Sequence, residues 1–268
     1  MSFRSFIANA AAATLSTALL SGAASAANIT VDNFSFESTV TSSYQTVSSV
    51  GASQPPNNNF VTPSADTVVP GWGFVFGAAS NPAASSYWSG GNQTLAQASL
   101  TGGDGTQAGD VNGGSDLMYQ DVGSISSNTT YTLTVAVAQP PSGKYGNNAA
   151  DLATVALANG AVSSSGTYAV LPTVNSANES TFTPAAGALT DETVTLTTGA
   201  GATGDLTILL ENATPITDAT GAAIQSQINF DNVRLTSSAV PEPAPFALLL
   251  AAAGAVCLLR RRKTSMSA

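Results

Sequence analysis

Tyr131-Thr132-Leu133-Thr134-Val135-Ala136-Val137-Ala138 sets large apolar side chains at every odd position and threonine or alanine at every even one. A period of two sends successive side chains to opposite faces of an extended chain, so this stretch predicts a β-strand with one buried face. The alternation returns at Val194 and Leu196 between threonines, and again at Leu206, Ile208 and Leu210. Leu152–Leu157 and Tyr168–Leu171 read as shorter strands. Clusters of Gly, Pro, Asn and Ser divide these runs, as turns require, and helix signals are scarce. The pattern predicts an all-β chain, an antiparallel β-sandwich of jelly-roll type over residues 28–236.

Composition narrows the function classes. Only 9% of the 268 residues are charged, yet 43% are hydrophobic, which suits a turn-rich β domain rather than a disordered chain. All acids but Glu242 lie within residues 28–240, where the bases are Lys144 and Arg234. Such an acidic body lacks the clustered Lys and Arg that nucleic acid demands, so no nucleic-acid partner is expected. There is no histidine, which removes His-dependent triads and the usual zinc ligands. The single cysteine, Cys257, sits in the C-terminal apolar run and leaves the body without disulfides.

Both ends carry targeting signals. Arg4, the apolar stretch Phe6–Leu20 and Ala24-Ser25-Ala26 have the layout of a secretory signal peptide over residues 1–26, cleaved after Ala26. At the other end, residues 237–268 hold Val240-Pro241-Glu242-Pro243, an uncharged apolar run over residues 246–259, and Arg260-Arg261-Arg262-Lys263. The run is short for a lasting transmembrane helix, and the basic cluster holds its end on the cytoplasmic side. It therefore reads as a transient membrane handle with a protease-accessible motif outside it.

This C-terminal layout resembles the PEP-CTERM sorting signal of Gram-negative bacteria. The resemblance implies export through the inner membrane and processing by an exosortase near Pro241-Glu242-Pro243. It also implies a place on the cell surface or in the extracellular matrix, linked to exopolysaccharide and biofilm.

Within the body, two segments break their own alternation. In Ile29–Glu37 the apolar positions move from odd (Ile29, Val31) to even (Phe34, Phe36), and in Ile228–Leu235 from even (Ile228, Phe230) to odd (Val233, Leu235). Each change falls at an Asp-Asn pair, Asp32-Asn33 and Asp231-Asn232. A parity change predicts a β-bulge or a strand crossing between sheets. First and last strands that lie side by side would bring Asp32, Glu37 and Asp231 towards one another.

Asn33-Phe34-Ser35-Phe36-Glu37, Pro70-Gly71-Trp72 and Phe230-Asp231-Asn232-Val233 resemble the pattern of galactose-binding-like jelly rolls, including many carbohydrate-binding modules. The resemblance implies a structural calcium with Glu37 and Asp231 as ligands and Asp32 nearby. The plainer alternative is that the Asp-Asn pairs only satisfy backbone groups at the bulges. Trp72 reads as core. Tyr87-Trp88, followed by Asn92 and Gln93, pairs aromatic faces with amides and is the candidate ligand-binding stretch. Gln54–Asn59 and Thr101–Asp116 read as solvated loops, and Asp104, Asp110 and Asp116 in the second form a candidate second cation site.

Nothing nominates a catalytic group. The sequence therefore predicts a non-catalytic surface or matrix protein that binds exopolysaccharide. The alternatives are a structural adhesin or scaffold without sugar specificity, and then a glycoside-active enzyme working through two carboxylates.

Overall fold

A computed structural model describes residues 25–38, 45–48, 60–61, 69–75, 86–112, 116–142, 151–165, 168–172, 174, 177–215 and 226–240. The signal-peptide stretch up to Ala24, Gln54–Asn59, and the tail from Pro241 onward lie outside these residues, as do the side chains of Tyr87 and Trp88. Among the described residues no helix is long and apolar enough to cross a membrane. Ala27–Ser237 form one compact unit.

The strands, in chain order, are β1 (Ala27–Ile29), β2 (Gln45–Ser48), β3 (Phe60–Val61), β4 (Gly73–Val75), β5 (Ser86–Thr94), β6 (Gln107–Asn112), β7 (Asp116–Ser124) and β8 (Thr129–Ala138). They continue as β9 (Ala153–Asn159), β10 (Ser163–Ser165), β11 (Tyr168–Val170), β12 (Glu179–Phe182), β13 (Thr190–Thr197), β14 (Asp205–Asn212) and β15 (Gln227–Ala239). The larger sheet runs β13-β8-β15-β6-β5-β2, with β1 also paired to β15. The smaller runs β12-β9-β14-β7-β4-β3, and β10 and β11 form a separate hairpin. The strand pairs whose register is described are all antiparallel.

The Tyr131–Ala138 alternation lies in β8, an interior strand of the larger sheet. Tyr131, Leu133, Val135 and Val137 of β8 are buried, and so are Ile228, Phe230, Val233 and Leu235 of β15. They meet Phe74, Met118, Val155, Leu157, Leu206, Ile208 and Leu210 of the smaller sheet in one core. Each such side chain contributes about 1.5–3 kcal/mol by leaving water, so the alternation read in the sequence is the main source of stability. The two-sheet antiparallel sandwich is thus the predicted class.

Two expectations need correction, and one holds. Ile29–Glu37 is not a bulged strand: β1 ends at Ile29, and a turn follows in which Asn33 and Phe36 take positive φ (47° and 56°) and the Phe36 N–H donates to the Asn33 carbonyl at 3.0 Å. Phe36 is thereby driven into the core against Trp72 (ring centroids 5.3 Å apart), while Phe34 stays 44% exposed. The apolar spacing mimicked a strand because a turn can also bury two of three hydrophobic residues. The second parity change is, as expected, a local irregularity at Asp231-Asn232, within one strand. Asn232 has φ 47°, which asparagine tolerates better than most residues, so Phe230 and Val233 both reach the core. The break lies between the part of β15 paired with β6 and the part paired with β1, and there the Val233 N–H donates to the Phe34 carbonyl at 2.9 Å.

The second corrected expectation matters most for function. Thr101–Asp116 is not a solvated loop throughout. Its second half is β6, an interior strand of the larger sheet, and Asp110 and Asp116 are buried. The glycines and aspartates that suggested a loop belong to a strand whose outward face is covered.

The outer face of the larger sheet is closed at one place by α1 (Leu95–Ala98). Thr94 caps it and Gln97 returns the bond, forming a capping box. Ala98 and Leu100 pack with Ala136, Ala138 and Leu189 there, with Leu95 against them.

Candidate functional site

Strand register assembles a row of polar side chains across the larger sheet. Asp110 on β6 stands opposite Gly91 on β5 and opposite Asn229 on β15. One step along the same face, Asn112 pairs with Gln227; one step the other way, Gln93 pairs with Ala108. Directly paired residues share a face, so this row points away from the core that Val111, Ile228 and Phe230 occupy on the other side. Facing away from the core does not leave it wet. Asp110 and Asn229 have no exposed surface, Gln227 is 2% exposed and Gln93 is 3% exposed.

The row is incompletely bonded. Asp110 Oδ2 accepts a hydrogen bond from Asn112 Nδ2, and Asn229 Oδ1 accepts one from Gln227 Nε2 at 3.0 Å. Asp110 Oδ1, Asn229 Nδ2 and both amide atoms of Gln93 are buried without a protein partner. An unmatched buried polar group costs about 1–3 kcal/mol, so a native fold that gathers several in one place holds them for something. Burial also pushes the Asp110 carboxyl up to about 7, against a smaller lowering by the Asn112 hydrogen bond. A group that exchanges its proton near neutrality is what acid–base chemistry uses.

Beside this row lies a second acidic place, organised in the opposite way. The loop between α1 and β6 runs past Glu37 and Asp231. Asp231 Oδ2 accepts from the Asp104 N–H at 2.6 Å, and its Oδ1 from the Asn232 N–H at 2.7 Å. Glu37 Oε1 accepts from the N–H groups of Thr106 and Gln107, both at 2.7 Å, and its Oε2 from the Thr106 hydroxyl at 3.0 Å. Glycine permits this approach. A Cβ on Gly103 would lie 2.7 Å from Asp231 Oδ2, and one on Gly105, at φ +95°, would lie 2.4 Å from Glu37 Oε1. Burial raises the Asp231 carboxyl to about 6; the backbone bonds from Asp104 and Asn232 lower it, and the charges of Asp104 and Glu37 add to the rise.

Of the residues singled out in the sequence, Glu37 and Asp231 therefore meet at one loop. Asp32 does not join them: it sits beside Gly71, its N–H donating to Gln120 Oε1 at 2.8 Å and its carbonyl accepting from Trp72 Nε1 at 3.1 Å. Asp104 reaches the same loop site, while Asp110 belongs to the polar row and Asp116 pairs with Asn212 on β14. Trp72 is fully buried, as a core residue. Tyr87 and Trp88 lie on β5 opposite Val47 and Thr46. Asn92 and Gln93 do not act together. Asn92 pairs with Gly109, which packs on Phe36, and its side-chain amide donates to the Phe36 carbonyl, whereas Gln93 lies on the outer face. Asn229 was missed as a site residue, and Asp110 was singled out only as a candidate cation ligand. The signal for Asn229 was the alternation Gln227-Ile228-Asn229-Phe230-Asp231, which reads as an ordinary strand with a wet face.

The oxygen set at the loop, two carboxylates with Asp104 close by and no nitrogen or sulfur ligand, has the hard donor chemistry that calcium takes. Among the described residues no group of three or more acid, histidine or cysteine side chains is gathered as a metal cluster. Glu37 and Asp231 would need backbone carbonyls to complete a shell.

No curated protein sequence matches the chain. Among solved structures it is similar to a family 16 carbohydrate-binding module (21% identity, 49% of this chain and 77% of that one, TM-score 0.32). It is also similar to a family 4 carbohydrate-binding module (12% identity, 78% and 100%, TM-score 0.35). A third is the K3 cleaved adhesin domain of Lys-gingipain from Porphyromonas gingivalis w83 (15% identity, 79% and 99%, TM-score 0.32). The model of the HpiC1-like family, described as HpiC1 cyclase, matches residues 27–236, nearly the whole sandwich. That match overturns the non-catalytic expectation. Lack of histidine and of an obvious carboxylate pair argued against an enzyme, yet a buried carboxyl tuned by its surroundings can serve catalysis and leaves no mark in the sequence. The chain belongs to the HpiC1-like cyclase family.

Proposed function

We propose that this chain is an exported cyclase-family enzyme whose substrate seats on the outer face of the larger sheet, over Gln93, Asp110 and Asn229. The observation that carries the reading is Gln93, buried with both amide atoms unpartnered beside a carboxyl held near neutrality. Gln93 and Asn229 orient the substrate, and Asp110 gives or takes the proton that a ring closure moves. The working environment is the cell surface or extracellular matrix, reached by the signal peptide and by exosortase processing at Pro241-Glu242-Pro243, with exopolysaccharide as the surrounding material and a source of hydroxyl-bearing ligands. Calcium, held by Glu37 and Asp231 with loop carbonyls, would fix the loop that leads into β6; its part is structural.

The test uses extracts of the producing bacterium as the substrate source. Purified protein converts a component to a cyclised product, and Gln93→Leu abolishes the conversion while leaving the thermal transition in place. Conversion that is unchanged in Gln93→Leu would remove the substrate from this face.

A further inference from the structure

We propose that Gln93, Asp110 and Asn229, brought together on the outer face of the larger sheet with unpartnered polar atoms, form a closed subsite for an uncharged, hydroxyl-bearing group. The inference rests on the same face as the enzyme reading above but concerns what that face accepts.

The chemistry of the unpartnered atoms sets the selection. Gln93 offers an amide NH2 and a carbonyl oxygen, Asn229 offers an amide NH2, and Asp110 offers one oxygen. Such a set is complementary to a hydroxyl, which both donates and accepts. No cation shares the row: Gly91, Gln93, Asn112, Gln227 and Asn229 are uncharged. An anionic group brought there would lose its water and gain no counter-charge, which excludes it.

The protonation state follows from the surroundings. Among the described residues Asp231 is the next outward residue of β15 after Asn229, with Asp104 and Glu37 beside it at the loop. All are acids, so none favours ionised Asp110. With burial dominant, the Asp110 carboxyl titrates at about 7. Below that pH it donates a hydrogen bond to the ligand. Above it the acid form falls tenfold per pH unit, and affinity falls with it.

The experiment follows the backbone amides of Gly91, Gln93, Asp110 and Asn229 by NMR in the full chain. The probes are glucose, xylose and galactose, with glucuronate as the charged counterpart. At pH 5.5 at least one neutral sugar shifts these amides saturably, glucuronate does not, and the dissociation constant rises about tenfold from pH 7.5 to pH 8.5. Asp110→Asn keeps sugar binding and loses the pH dependence. Should that variant fail to fold, Gln93→Ala serves in its place and loses the sugar shifts at pH 5.5. The proposal is overturned if none of the three sugars moves these amides, which leaves an ordered water as the occupant. It is also overturned if glucuronate binds equally or if affinity ignores pH. Sugar binding without any turnover would sink the enzyme reading and leave this inference standing; turnover without sugar binding would do the reverse.

Discussion

Two acidic places meet β15 two residues apart, one at Asp231 and one where Asn229 stands opposite Asp110 of β6, and they are built in opposite ways. At the loop, both oxygens of Asp231 and Oε1 of Glu37 accept from backbone N–H groups at 2.6–2.7 Å, and Glu37 Oε2 accepts from the Thr106 hydroxyl. On the polar row, Asp110 has one oxygen bonded to Asn112 and the other unpartnered, and its neighbours Gln93 and Asn229 are also incompletely bonded. The first arrangement fixes a chain segment. The second keeps hydrogen-bonding capacity in reserve, at a cost in stability, which is the mark of a place built to meet another molecule. Proximity of carboxylates alone would not have separated them; the accounting of each oxygen does.

The largest expected effect comes from neutralising Asp110. Its folded carboxyl titrates above its unfolded value, so the folded state holds the proton more tightly. That contribution is full below pH about 4 and is lost as pH rises through about 7. Ionisation there costs about 4 kcal/mol of stability by linkage. Urea unfolding of Asp110→Asn should show a gain of that order at pH 8 and little change at pH 4. A variant no more stable than the parent at pH 8 would break the contrast, because Asp110 would then be an ordinary paired carboxylate.

Next in size is Asp231→Ala. It leaves the Asp104 and Asn232 N–H groups without their acceptor, at about 2–3 kcal/mol by urea unfolding. The same variant sharpens the calcium proposal: EDTA should lower the melting temperature of the parent by several degrees and leave Asp231→Ala unmoved. No EDTA effect on the parent would remove calcium from the loop and leave its hydrogen bonds as the whole account.

Gly105→Ala should cost about 1–3 kcal/mol, because φ is +95° and the new Cβ would press on Glu37 Oε1. The smallest effect on stability belongs to Asn229. Asn229→Leu removes an unsatisfied donor and loses the bond from Gln227, so stability should change by about 1 kcal/mol or less, against a large loss of function. A loss of stability matching that of Asp231→Ala would mean that the row is structural after all.

How much was legible depended on which face a residue served. β8, β13 and β14 could be read because their alternation sets large apolar side chains against threonine. β6 could not: Gln107-Ala108-Gly109-Asp110-Val111-Asn112 has one large apolar residue, and Gly109 replaces another because Phe36 and Met118 fill the space its side chain would take. Glu37 and Asp231 were found through motif likeness, and the loop that joins them was seen only as glycine-rich. Asp110 was read as solvated because alternation tells a core-facing side from the other side, while only the assembled fold tells whether the other side is covered. The same gap produced the non-catalytic expectation, since catalytic tuning by burial is a property of packing.

The polar row turns on the proton of one side chain, Asp110. Carboxyl carbon shifts of Asp110 followed by NMR across pH 3 to 9 test it directly. A midpoint near 7, absent in Asp110→Asn and moving upward when a neutral sugar is added, is the predicted result. A midpoint near 4, in the ordinary carboxylate range, would contradict it.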